Sequence, residues 1–197
     1  MFWAVPNLLA MGLLTAVPGG SEPATPIPVC LGSWTYVQPY VLSRAKFISS
    51  RIFARAGVTL DWRSPGSSVC RANDGRAIVI DFNGDSLPDS HPDAMGYTQP
   101  YEGVHVVVLI DRVERSAQDP NTVASILAHV IVHEMTHLIE GISRHSATGI
   151  MKAHWGVEDL TTMAIEPLPF APEDLSLIQI GLRRWNLTLR AHNISGH

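Results

Sequence analysis

One segment limits what this chain can become more than any other. Residues 119 to 141 read "DPNTVASILAHVIVHEMTHLIEG". Asp119 suits a helix N-cap, and Pro120 suits the first helical position, where its missing N–H would be unpaired anyway. Gly141 is where an amphipathic helix begun there would stop. Inside the helix stands His-Glu-x-x-His. His133 and His137 are four residues apart, so their side chains lie about 40° apart around the axis and one turn apart along it. Two imidazoles can therefore reach one metal ion. Glu134 is rotated by about 100° from His133, which puts its carboxylate beside the metal rather than on it. There it can exchange protons with a water and a leaving amine.

The five-residue motif is short, and its context adds weight. The helix is capped, follows a strong strand and breaks at Gly141, four residues after His137. His145 lies just past the turn. Catalytic zinc takes three protein ligands and keeps one position open, and His133, His137 and His145 supply three. Glu140, His154, Glu158 and Asp159 compete for the third place, Glu158 most seriously. Glu140 shares the face of His133 but cannot swing onto the same metal without breaking the helix. His129, one turn before His133, reads as a packed histidine or one that supports a ligand. Met135, Leu138 and Ile139 read as core contacts. His91 and His105 receive no role.

With 46% apolar and 16% charged residues, the 197-residue chain has the composition of one folded domain. A net charge of −4 without a basic run argues against nucleic acid as a partner. Residues 1–20, "MFWAVPNLLAMGLLTAVPGG", read as a signal peptide with a weak n-region, or else as a buried or disordered N-terminus. Pro6 and Pro18 make this run too short for a membrane span, and no span is expected elsewhere. Cys30 and Cys70 either form one disulfide or remain two thiols. Asn186 and Asn193 lie in sequons that matter only in a eukaryotic secretory pathway.

Along the chain, 21–32 reads as a Pro/Gly-rich linker and 33–190 as the domain, with 191–197 as a tail. "SWTYVQPY" reads as a short strand. Val41 to Ala56 repeats apolar residues at helical spacing and ends at Gly57. "VTLDW", "RAIVIDF" and "GVHVVVLI" read as strands, "MGYTQ" as a short edge strand, and 63–75 and 83–94 as loops. A last helix starts near Pro172, with Leu175, Ile178, Leu182 and Trp185 on one face.

"HEMTHLIEGISRHSATGIM" resembles the metzincin group of zinc metalloproteases, which carries H-E-x-x-H-x-x-G-x-x-H and then a turn with a methionine beneath the zinc. His133, Glu134 and His137 match directly. Gly141 stands in for the family glycine, His145 for the third histidine and Met151 for the turn methionine. Two positions depart: the family glycine falls on Glu140, and the third histidine falls on Ser143. The stretch is closer to small bacterial exported proteins with H-E-x-x-H, seven residues, then H-S-x-T-G-[IL]-M, a likeness running from about Trp34 to Trp185. The resemblance implies an α/β (α+β) fold: a twisted, mostly parallel sheet, an early helix, the active-site helix, a methionine turn and a C-terminal helix.

It also implies one catalytic zinc ion and a peptide or protein substrate. Glu134 would be general base and then acid. His154 is a candidate oxyanion donor, and "GYTQ" a candidate sheet edge for an extended peptide. A secreted or periplasmic monomer is expected. The alternative is a zinc-binding domain without peptidase activity.

Overall fold

The computed structural model describes residues 25–32, 37–72, 74–84, 94–98 and 104–195, with side chains as far as 187. The signal-peptide segment, Trp34, His91 and the side chain of Asn193 lie outside the described residues. The elements in order are β1 (Ile27–Leu31), α1 (Pro39–Arg55), β2 (Leu60–Arg63), α2 (Ser68–Ala72), β3 (Ile78–Asn83) and β4 (Gly96–Thr98). Then come β5 (His105–Leu109), α3 (Ile110–Arg115), α4 (Pro120–Glu140), α5 (Val157–Ile165) and α6 (Pro172–Ser195).

The strands form one sheet in the order β2-β1-β3-β5-β4. All pairings are parallel except that of β4, which runs antiparallel to β5 at the edge. The register stacks apolar side chains on one face. Leu31 pairs with Ile80 and Ile80 with Val106, while Phe82 pairs with Val108. All five are buried. Burying period-two apolar residues against helices is what drives such a sheet to form.

α4 is the central helix. The Asp119 carboxylate accepts the Thr122 N–H at 2.9 Å, and Pro120 opens the first turn. Gly141 ends the helix with φ of 69°, and its N–H returns to the His137 carbonyl at 2.8 Å. Every residue from Val123 to Glu140 is buried, so the helix is covered all round rather than on one amphipathic face. The cause is its neighbours: α1, α5, α6 and the β4–β5 edge all pack on it. Among the described residues α4 is also the one helix apolar enough to cross a membrane, and 83% of that window is buried inside the protein.

Several readings need correction. Of "SWTYVQPY", residues 33–36 lie outside the described residues; Val37 and Gln38 are irregular, and Pro39 begins α1. The first strand lies instead inside the stretch read as a linker, at Ile27–Leu31. Its prolines hid it. Pro28 is tolerated because β3 joins β1 only from Val29 onward, so only β2 pairs with the strand at that point. The loop 63–75 holds the short α2, and "GVHVVVLI" ends as a strand at Leu109 because Ile110 opens α3. The irregular segment after Met151 holds α5, and α6 runs on to Ser195, past residue 190. On α6, Leu175 is 38% exposed whereas Asp174 is 1% exposed.

Cys30 and Cys70 form a disulfide that ties α2 to β1 across 40 residues. Closing a loop of that length restricts the unfolded chain by about 3 to 4 kcal/mol in the chain-entropy picture. Cys70→Ser is therefore expected to lower the unfolding free energy by about that amount, with a lower urea midpoint and a somewhat larger m-value as the unfolded chain expands. Equal midpoints for wild type and variant would show that the bond adds nothing.

Candidate metal centre

The turn of α4 that carries His133 and His137 is buried, and it faces the segment after Gly141. That segment brings His145 back against both. Ring centroids lie 4.8 Å apart for His133–His137, 5.3 Å for His133–His145 and 5.0 Å for His137–His145. One ligand atom from each of the three lies within 4.8 Å of the others. Among the described residues this is the one such group of potential ligands, and it contains neither Glu140, His154, Glu158 nor Asp159. The two extra residues between His137 and His145 fall after the helix has ended at Gly141, so they leave His133, Glu134 and His137 in place.

The hydrogen bonds set the tautomers. His133 Nδ1 donates to the Ile150 carbonyl at 2.9 Å, and His137 Nδ1 donates to the Ile142 carbonyl at 3.1 Å. Each imidazole then keeps a lone pair on Nε2. Those two Nε2 atoms face each other at 3.2 Å. With both ring protons committed elsewhere, two acceptors meet with no hydrogen between them. A cation between them resolves this. Tetrahedral zinc at about 2.05 Å from two nitrogens sets them roughly 3.3 Å apart. The residues present therefore fit zinc.

The electrostatics agree. Burial pushes His133 down to about 3, with a partial offset from the Ile150 hydrogen bond and further lowering from His137 and His145. His137 is pushed down to about 4 by burial and then by His145. His145, more exposed, is lowered by burial, then by His154 and Arg144. All three rings are neutral near pH 7, as metal ligands must be. Glu134 is 7% exposed, and burial raises its carboxyl to about 8.

The supporting shell is largely backbone. Ile150, which fixes His133, is itself held by its N–H to the Pro169 carbonyl at 3.0 Å. Met151 is buried, and its carbonyl accepts the Ser146 N–H at 2.7 Å. His129 donates from Nδ1 to the Ser125 carbonyl at 2.7 Å and accepts the Leu168 N–H on Nε2 at 3.0 Å. It thereby clamps the chain next to Pro169. Burial holds His129 at about 4, so the clamp stays neutral. Trp155 packs edge-on to His133 at 5.5 Å.

His154 is exposed near His145, and Glu158 is exposed on α5. The Asp159 carboxylate is taken by Lys152 at 2.5 Å and the Gly156 N–H at 2.8 Å, which caps α5. His105 lies 3.9 Å from Asp81, at the far end of β5.

Glu140 is 2% exposed, and neither carboxylate oxygen has a hydrogen-bond partner. Burial and then Asp174 raise its carboxyl to about 7, partly offset by Arg144. A buried acid with a raised pKa favours folding below its unfolded value near 4.5, and that contribution is lost as pH rises through about 7. Glu140→Gln is isosteric with the protonated form. It should match wild type in stability at pH 5 and exceed it at pH 8, by up to about 3 kcal/mol. Thermal melts at the two pH values check this; a difference independent of pH would contradict it.

Asp174, Arg144 and Ser146 were not singled out in the sequence. Asp174 is the third residue of the helix that Pro172 opens, an acidic pattern that signals only a helix start. The carbonyls of Ile142 and Ile150 have no sequence signal at all.

No protein-family profile matches the sequence, and no curated protein matches it. Among solved structures, the crystal structure of archaemetzincin from Methanopyrus kandleri is similar, with a TM-score of 0.58 and 16% identity, over 83% of this chain and 99% of that one. The structure of myroilysin gives a TM-score of 0.36 and 14% identity, over 78% of this chain and 72% of that one. The first likeness concerns architecture: this chain has a mixed α/β, metzincin-like fold with a mostly parallel sheet, five-stranded among the described residues.

Proposed function

We propose that this chain is a zinc-dependent endopeptidase. The observation that carries the reading is the pair of facing Nε2 lone pairs on His133 and His137, with His145 beside them. Bound there, zinc would supply a water of lowered pKa and a polarised scissile carbonyl. His133, His137 and His145 would hold it. The Glu134 carboxylate takes a proton from the attacking water and passes it to the leaving nitrogen as the C–N bond breaks. The edge strand β4, which among the described residues pairs only with β5, offers backbone groups on which an extended peptide adds as a further strand. The apolar residues 1–20 and the Cys30–Cys70 bond support export to an oxidising compartment.

The test measures bound zinc and peptide-library cleavage before chelation, after it, and after zinc is restored. One zinc per chain, with cleavage lost and regained, is expected. A stoichiometry well below one would overturn the metal site. One zinc with no cleavage would overturn the peptidase and leave a zinc-binding domain.

A further inference from the structure

We propose that Asp174 is the positioning residue of the third ligand, holding the His145 turn from α6. The proposal rests on the three-histidine reading above. His133 and His137 are fixed by a buried helix, but His145 sits on a non-helical segment and is exposed. Something else must hold it. The residues on both sides of it reach one carboxylate oxygen: Ser146 Oγ donates to Asp174 Oδ1 at 2.5 Å, and Arg144 Nη2 donates to the same atom at 2.6 Å. Arg144 Nη2 also reaches Ser146 Oγ at 3.1 Å. The other oxygen, Oδ2, accepts the Ala171 N–H at 3.1 Å at the start of α6.

Asp174 is 1% exposed, so this carboxylate is withdrawn from water and its bonds are not shared with solvent. The far end of the turn is closed by Ser146 N–H to the Met151 carbonyl. The near end is closed by Ile142, whose carbonyl accepts the hydrogen bond from His137 Nδ1–H. His145 is thus suspended between two anchored neighbours. This arrangement lets a loop two residues longer than the metzincin pattern still deliver an imidazole to the other two. Asp174 makes no hydrogen bond to a ligand or a reacting atom; apart from a through-space effect of its charge on His137, it acts through Arg144 and Ser146.

The test titrates apo-protein with cobalt(II), and with zinc against a competing chelator, in wild type, Asp174→Asn and Ile178→Val. Ile178 is a buried α6 residue and serves as a control for lost stability alone. Asp174→Asn is expected to weaken zinc binding by about 10- to 100-fold and to alter the visible cobalt spectrum. Ile178→Val is expected to lower the melting temperature and leave both readouts unchanged. Should Asp174→Asn not fold, Ser146→Ala removes one donor to the same carboxylate and must shift affinity in the same direction. Wild-type affinity and spectrum in Asp174→Asn, or an equal loss in Ile178→Val, would overturn the positioning role. Wild type that takes up no metal overturns the three-histidine reading itself, and this proposal with it.

Discussion

Glu134→Gln is expected to retain one zinc per chain and the wild-type melting curve while peptide cleavage falls by roughly 10²- to 10⁴-fold, the range for loss of a general base. The argument starts from the helix. Glu134 follows His133 directly on α4, so it is rotated off the metal and its loss removes no ligand. Burial raises its carboxyl to about 8, which means that the protein holds it where charge is costly. A cation beside it favours the carboxylate, and glutamine can mimic the shape but cannot take a proton. Its surroundings are tight. A Cβ at Gly96 on β4 would sit 3.1 Å from Glu134 Cγ, 3.0 Å from Val130 Cγ1 and 3.0 Å from the Val107 carbonyl. The glycine lets the edge strand close on this part of the helix, so Glu134 lies between the three histidines and the edge proposed for the substrate. Cleavage within twofold of wild type would remove Glu134 from the mechanism. Zinc lost together with cleavage would make its role structural.

The sequence was informative wherever one local rule acted without a rival. Asp119, Pro120 and Gly141 bounded α4 correctly because a cap, a fixed φ and a left-handed residue each act within one turn. β3 and β5 were legible because their apolar residues alternate or run unbroken. His133, His137 and His145 were legible because helical spacing and a break that allows return are geometric facts. β1 was not, because Pro28 argues against a central strand unless the stagger of β3 is known. Asp174 was not, because its burial comes from Arg144 and Ser146, 30 and 28 residues earlier. Periodicity places Leu175 on one face with Ile178 and Leu182, yet Asp174, bonded to the His145 turn, is buried there while Leu175 is exposed. The two extra residues before His145 looked like a departure in the site. They are absorbed beyond Gly141, and what compensates for them lies on α6.

That dependence on α6 gives the largest expected loss of stability. Gly181→Ala is expected to cost on the order of 5 kcal/mol, beyond the range of ordinary substitutions. α6 crosses α4 so closely at Gly181 that an added Cβ would lie 1.8 Å from the Ile139 carbonyl oxygen and 2.6 Å from its carbon. That contact is with backbone, not with the end of a flexible side chain, so no rotamer change relieves it. The helices must separate by more than an ångström, on the order of 1.4 Å for an ordinary carbon–oxygen contact near 3.2 Å. Separation uncovers Ile178 and Leu182, which are buried beside Gly181 on the same face. The gain in helix propensity from glycine to alanine, about 1 kcal/mol, is too small to offset this. Because Asp174 rides on the same helix, the displacement also pulls on Arg144 and Ser146. Gly181→Ala should therefore lower zinc affinity as well as the melting temperature, whereas Cys70→Ser, destabilising from the far side of the sheet, should lower only the second. A Gly181→Ala protein as stable as wild type would show that α6 can move away freely. The close crossing would then have no part in holding the His145 turn.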